Sequence, residues 1–68
     1  VLSTYLSRDA ARRLRHGVPW LRREDIVSME GTPRPGEPMQ LRDEDGSVLG
    51  LGDVDLDATY AVRRLGQP

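Results

Sequence analysis

The chain has 68 residues, 37% of them apolar, and a formal net charge of −1. A chain this short encloses one core at most; with no cysteine and a single histidine, it is excluded from thiol catalysis, disulfide staples and cysteine-based zinc sites. No stretch approaches the roughly 20 apolar residues of a membrane-spanning helix, and no charged-then-apolar leader pattern is present, so a cytoplasmic location and no membrane partner are expected.

Val1 to Leu6 is short, apolar and β-compatible, and is expected to open the fold as a strand. Ser7 is placed to cap a helix running to Arg15, with Asp9 in the first turn, Gly17 as terminator and Pro19 beyond it. At about 100° per residue, Ala10, Ala11 and Leu14 share one side of that helix, while Arg8, Arg12, Arg13 and His16 fall on or near the other. A helix this short is marginal alone in water and is expected to lie across a sheet.

Asp25 to Met29 alternates loosely, as a strand does. Residues 31–38 hold three prolines and two glycines, which exclude a helix or a central strand. Met39–Arg42 and Ser47–Leu51 form the clearest hairpin, turned by Asp43-Glu44-Asp45-Gly46. Gly50 and Gly52 interrupt its second strand and mark a bulge or a close backbone approach. Tyr60 to Leu65 reads as a closing strand, with Tyr60, Val62 and Arg64 on one face. The expected fold is mainly β with one or two short helices: a small pseudo-barrel in the order strand, helix, four strands, closed because a flat sheet would leave its edges bare. Small cores lacking a staple seldom supply more than about 5 kcal/mol, and the chain opens on Val1 and ends on a linker-like Gly66-Gln67-Pro68. One domain over residues 1–68, taken from a longer protein, is therefore expected.

Charge is polarised rather than large. From Val1 to Arg23 six arginines face one acid, Asp9; acids dominate from Glu24 to Asp57; Arg63 and Arg64 restore the positive sign. All ten basic residues are arginine, whose planar fork suits phosphate.

Two stretches carry a family resemblance. Ala11-Arg12-Arg13-Leu14-Arg15-His16-Gly17-Val18-Pro19-Trp20-Leu21 resembles the basic helix and His-Pro-Trp run of the PUA domain, the pseudouridine synthase and archaeosine transglycosylase domain. Pro35-Gly36-Glu37, leading into Leu41 to Gly52, resembles its Pro-Gly-acid loop and glycine-containing hairpin. The version most resembled stands at the front of S-adenosylmethionine-dependent methyltransferases that modify cytosine C5 in large-subunit ribosomal RNA. The sequence departs at Val18, where the family usually has histidine, and at Asp53-Val54-Asp55-Leu56-Asp57, where it commonly has a Tyr-Asn-Pro-x-Ser-like segment.

The resemblance implies a PUA-like RNA-binding fold and S-adenosylmethionine as cofactor of the parent protein, with no cofactor and no catalytic residue in this chain. Candidate RNA contacts are Arg12, Arg13 and His16 on the helix, extended by Arg22, Arg23, Arg63 and Arg64, all on a wall that the carboxylates leave free. Trp20 is expected in the core, because phenylalanine is absent and only Tyr5 and Tyr60 accompany it. Ribosomal RNA and the parent's own catalytic domain are the expected partners, with homodimerisation of the parent open.

Other chemistry finds little footing. Asp53-x-Asp55-x-Asp57 begins like a calcium loop, but Ala58 and Arg64 occupy the positions needing glycine and a bidentate acid. No metal is expected. Gly50-Leu51-Gly52 is too short for a dinucleotide fingerprint, and no nucleophile-and-base set appears. Two alternatives remain: a protein-docking or dimerisation module that touches no RNA, and a helix-turn-helix DNA binder with both helices between Leu6 and Arg23.

Overall fold

The computed structural model describes residues 2–34 and 36–66. Val1 of the expected opening strand, Pro35 of the loop and Gln67 and Pro68 of the linker-like end lie outside the described residues. In chain order the elements are β1 (Ser3–Leu6), α1 (Arg8–Arg15), β2 (Trp20–Leu21), a single 3-10 turn (Arg23–Asp25), β3 (Ile26–Met29), β4 (Met39–Arg42), β5 (Val48–Val54) and β6 (Val62–Gly66). The expected elements are all present, and β2 is added to them.

Helix α1 begins where its cap is. Ser7 is extended, and its hydroxyl accepts from the Ala10 amide, a contact worth about 1 kcal/mol. At the other end Gly17 takes φ +99°; its amide donates to Leu14 O and that of Val18 to Arg13 O. This paired closure needs a left-handed residue just past the helix, which glycine supplies without a Cβ clash. Pro19 and the pairing of Trp20–Leu21 with β6 then commit the chain to extended backbone. A second helix before Arg23 has no room, which removes the helix-turn-helix reading.

The six strands form one sheet in the order β2-β6-β5-β4-β1-β3, antiparallel except for β1 beside β4. Its two outermost strands, β2 and β3, are consecutive in sequence and joined by Arg22–Asp25. In a flat sheet they would stand about 24 Å apart, whereas the five virtual bonds from Leu21 to Ile26 span at most about 17 Å. The sheet therefore curls, as the pseudo-barrel expectation required.

Two irregularities tighten the curl on β5. The register slips against β4, where Leu41 faces Gly50 but Arg42 faces Val48, and again against β6 beside Gly52. A Cβ on Gly52 would lie 2.8 Å from Leu41 Cδ1 and 2.9 Å from Arg63 O, so this glycine marks a close approach between β5 and its neighbours.

Inside the curl lie Leu6, Leu21, Met39, Leu41, Leu49, Val54 and Val62, covered by Ala10, Ala11 and Leu14 of α1. The small residues let the helix sit low on the sheet. Trp20 is not in this core: it is 48% exposed, contrary to expectation. Alternation along the two-residue β2 sends Leu21 inward and Trp20 outward, and aliphatic side chains fill the interior without it.

Candidate nucleic-acid interface

The arginines of α1 do not form a wall free of acids. Arg12 and Arg13 both reach Asp9, at i−3 and i−4 on the same helix, the spacing at which helix side chains meet. Arg13 also donates to Asp25 Oδ1 at 2.7 Å, and Arg15 to Asp43 Oδ2 at 2.7 Å. The expectation that carboxylates point elsewhere is thus corrected. Acids from the turn before β3 and from the β4–β5 turn come to the helix because those turns pack beside it.

Asp43 is a structural hub. Its Oδ1 accepts from the amides of Asp45 and Ser47, fixing the hairpin turn, while its other oxygen takes the Arg15 guanidinium. The hydrogen bond from Arg15, with the two amides, holds the Asp43 carboxyl below the usual carboxylate range. Asp9 is lowered too, first by its hydrogen bond from Arg12. On the far side, Tyr5 donates to Glu30 Oε1 at 2.6 Å, and this bond raises the phenol's pKa.

Of the remaining candidate residues, Arg22 and Arg63 stand at one corner of the sheet. Trp20 on β2 faces Arg63 on β6 across the ladder. Arg64, the next residue along β6, alternates to the other face of the sheet: its amide donates to Pro19 O, and its guanidinium reaches Leu14 O at the end of α1. Arg23 donates to Leu56 O. His16 caps α1 and is exposed, where a positive charge suits the helix C-terminus. Among the described residues, Arg8, Arg22, Arg23 and Arg64 have no carboxylate within ion-pair distance, and Arg63 has only Asp53 at 4.0 Å. The fold therefore brings Arg22 and Arg63 to the corner beside Trp20 and sends Arg64 to the end of α1, while Arg12 and Arg13 arrive already engaged with acids.

Two aromatics accompany them. Tyr60, 49% exposed, stands with its ring centroid 6.0 Å from that of Trp20 at an interplanar angle of 55°, and the Arg22 guanidinium lies 5.9 Å from the Tyr60 centroid. Tyr60 lies before β6, outside the strand expected for it. Its pairing with Trp20 was not visible in the sequence, because the two residues meet only through the β2–β6 ladder. Elsewhere, among the described residues, no group of three or more His, Cys, Asp or Glu side chains is placed to hold a metal ion, and no helix is long and apolar enough to cross a membrane.

A small curled sheet with one capping helix, strand order and glycine-marked hairpin in place, defines the class. The chain belongs to the PUA-like domain family, whose model matches residues 5–67. It is similar to ribosomal RNA large subunit methyltransferase I from Tolumonas auensis, with 28% identity over an 82-residue alignment that covers 96% of this chain and 21% of that protein. The chain spans about one fifth of the length of this curated relative.

Proposed function

We propose that this chain is an RNA-binding accessory domain of an S-adenosylmethionine-dependent methyltransferase acting on large-subunit ribosomal RNA in the cytoplasm. On this reading it is one domain of a longer protein, it holds the substrate for a separate catalytic domain, and it performs no methyl transfer itself. The observation that carries the proposal is the family membership, joined to a likeness to a ribosomal RNA methyltransferase that covers nearly the whole chain.

The contacts proposed are Arg12, Arg13, His16, Arg22, Arg23, Arg63 and Arg64, in unequal roles. Arg22 and Arg64 have no acidic partner among the described residues, and the Arg63 pair is long, so phosphate meets them without first displacing a carboxylate. Arg12 and Arg13 share Asp9, and Arg13 also holds Asp25; phosphate must compete there, and these two add affinity rather than anchor it. Contacts of this kind supply binding without sequence preference and weaken steeply as salt rises.

Measured affinity for a ribosomal RNA fragment tests the reading. It predicts a linear fall of log affinity with log salt, shallower in a variant with Arg22→Glu and Arg63→Glu. Salt-insensitive binding, or none, would favour a second reading in which the domain docks on its own catalytic domain or a second copy. That reading draws on Leu51 of β5 and Leu65 of β6, both large, apolar and exposed.

A further inference from the structure

We infer that the corner formed by Trp20, Tyr60 and Arg22 is a stacking seat for an unpaired RNA base, so that the domain selects single-stranded over duplex RNA. The inference deepens the proposed function and rests on it.

A buried aromatic pair would be core, and a lone exposed aromatic would need no explanation. Here the chain's only tryptophan and one of its two tyrosines stand together, each about half exposed. A 55° angle at 6.0 Å is a tilted contact rather than a parallel stack, so the rings do not cover one another's faces. They line a shallow depression of about 410 Å³ together with Arg13, Val18, Leu21, Arg22, Glu24 and Asp25; Asp25 there is already held by Arg13.

The rim supplies the second half of a nucleotide site. Arg22 lies against Tyr60 at the outer limit of a cation–π contact, and Arg63 sits opposite Trp20 across the ladder. A base held on the aromatics would therefore have guanidinium groups nearby for its phosphates. Bases in a duplex keep their faces stacked inside the helix, whereas splayed bases of single strands offer them to aromatic side chains. Trp, Tyr and Arg also dominate protein contacts. Such contacts centre on desolvated apolar surface, while the neighbours here are mostly charged, which favours a nucleotide.

The test uses Trp20 as its own reporter, since no other tryptophan contributes to the emission of the 68-residue chain. A short single-stranded RNA of mixed sequence and the same strand annealed to its complement are titrated at low salt. The single strand should change Trp20 emission and bind about tenfold more tightly than the duplex. Trp20→Ala should weaken single-strand binding by about tenfold or more and leave duplex binding nearly unchanged, with Trp20→Phe recovering most of the loss. Circular dichroism confirms that each variant is folded, and the wild-type emission change does not depend on any variant.

Salt-dependent RNA binding with unchanged Trp20 emission, or with no preference for the single strand, overturns the stacking seat while leaving the phosphate reading in place. Failure of the wild-type chain to bind either RNA overturns both. Emission changes produced by a purified protein partner instead of RNA would mark the corner as a protein contact, and also overturn the inference.

Discussion

Helix α1 and the β2–β6 corner are both rich in arginine, yet they hold it in different electrostatic states. On the helix, Asp9, Asp25 and Asp43 meet Arg12, Arg13 and Arg15, which leaves Arg8 as the one of its four arginines without a carboxylate among the described residues. At the corner, Arg22 lies against a tyrosine ring and Arg63 has only Asp53, at 4.0 Å, contacts that leave most of the positive charge in place. The contrast teaches that an arginine count along a sequence measures charge supplied, whereas a ligand meets only the charge left after the fold has paired it. On the helix, ion pairs fasten elements together: Arg15–Asp43 joins α1 to the β4–β5 turn, and Arg13–Asp25 joins it to the turn before β3. In both pairs the carboxylate is largely buried and the guanidinium partly exposed, and their main effect is to fix where the turns lie.

The largest effect is expected from beneath the corner. Gly52→Val should destabilise the fold by about 1–3 kcal/mol, since the first added carbon already meets Leu41 and the Arg63 carbonyl. Urea denaturation measures the loss, and the Trp20 signal should report disturbance at β6 as well. Charge reversal at the corner comes next: Arg22→Glu with Arg63→Glu should weaken RNA binding by more than tenfold at low salt. The helix pair Arg12→Glu with Arg13→Glu should cost clearly less in the same assay. Equal losses would erase the distinction between the two regions.

Acid sharpens it further. The carboxyls of Asp9 and Asp43 lie below their ordinary range in the folded chain, so the unfolded chain binds protons first as pH falls. Their contribution to stability is complete above an unfolded carboxylate pKa of about 3.9 and is lost as pH drops through the lower folded values. Melting temperature should thus hold from neutral to about pH 5 and fall below about pH 4, with a shallower fall in Asp43→Asn. The smallest effect is a gain: Asp9→Asn releases Arg12 and one contact of Arg13, and should raise RNA affinity a few-fold at low salt.

What the sequence disclosed was mostly local. The Ser7 cap, the Gly17 stop, the Asp43–Gly46 turn and the irregularity at Gly50 and Gly52 each follow from chemistry within a few residues, and each was legible. The Asp9 pairings had a local signal as well, since Arg12 and Arg13 stand at the spacings where helix side chains meet, but the expectation of an acid-free wall passed over it. By contrast β2 has two residues, too few for a period, and exists only because β6 pairs with it from about forty positions away. Trp20 is expected inward because so few aromatics are on hand to fill a core; its direction is decided instead by Leu21 taking the inward position. The acids that meet Arg13 and Arg15 come from turns whose placement depends on the finished curl of the sheet, so no window of sequence contained them.

The central claim is that the corner anchors RNA, with the outer face of the helix only adding to affinity. The most direct test is an NMR titration of the isotope-labelled chain with a short single-stranded RNA, following the Trp20 indole N–H and the backbone amides. The account predicts that shifts concentrate at Trp20, Arg22, Tyr60 and Arg63 and fade toward Arg8 and Arg12. Shifts centred on Arg8, Arg12 and His16, with the Trp20 indole unmoved, would contradict it.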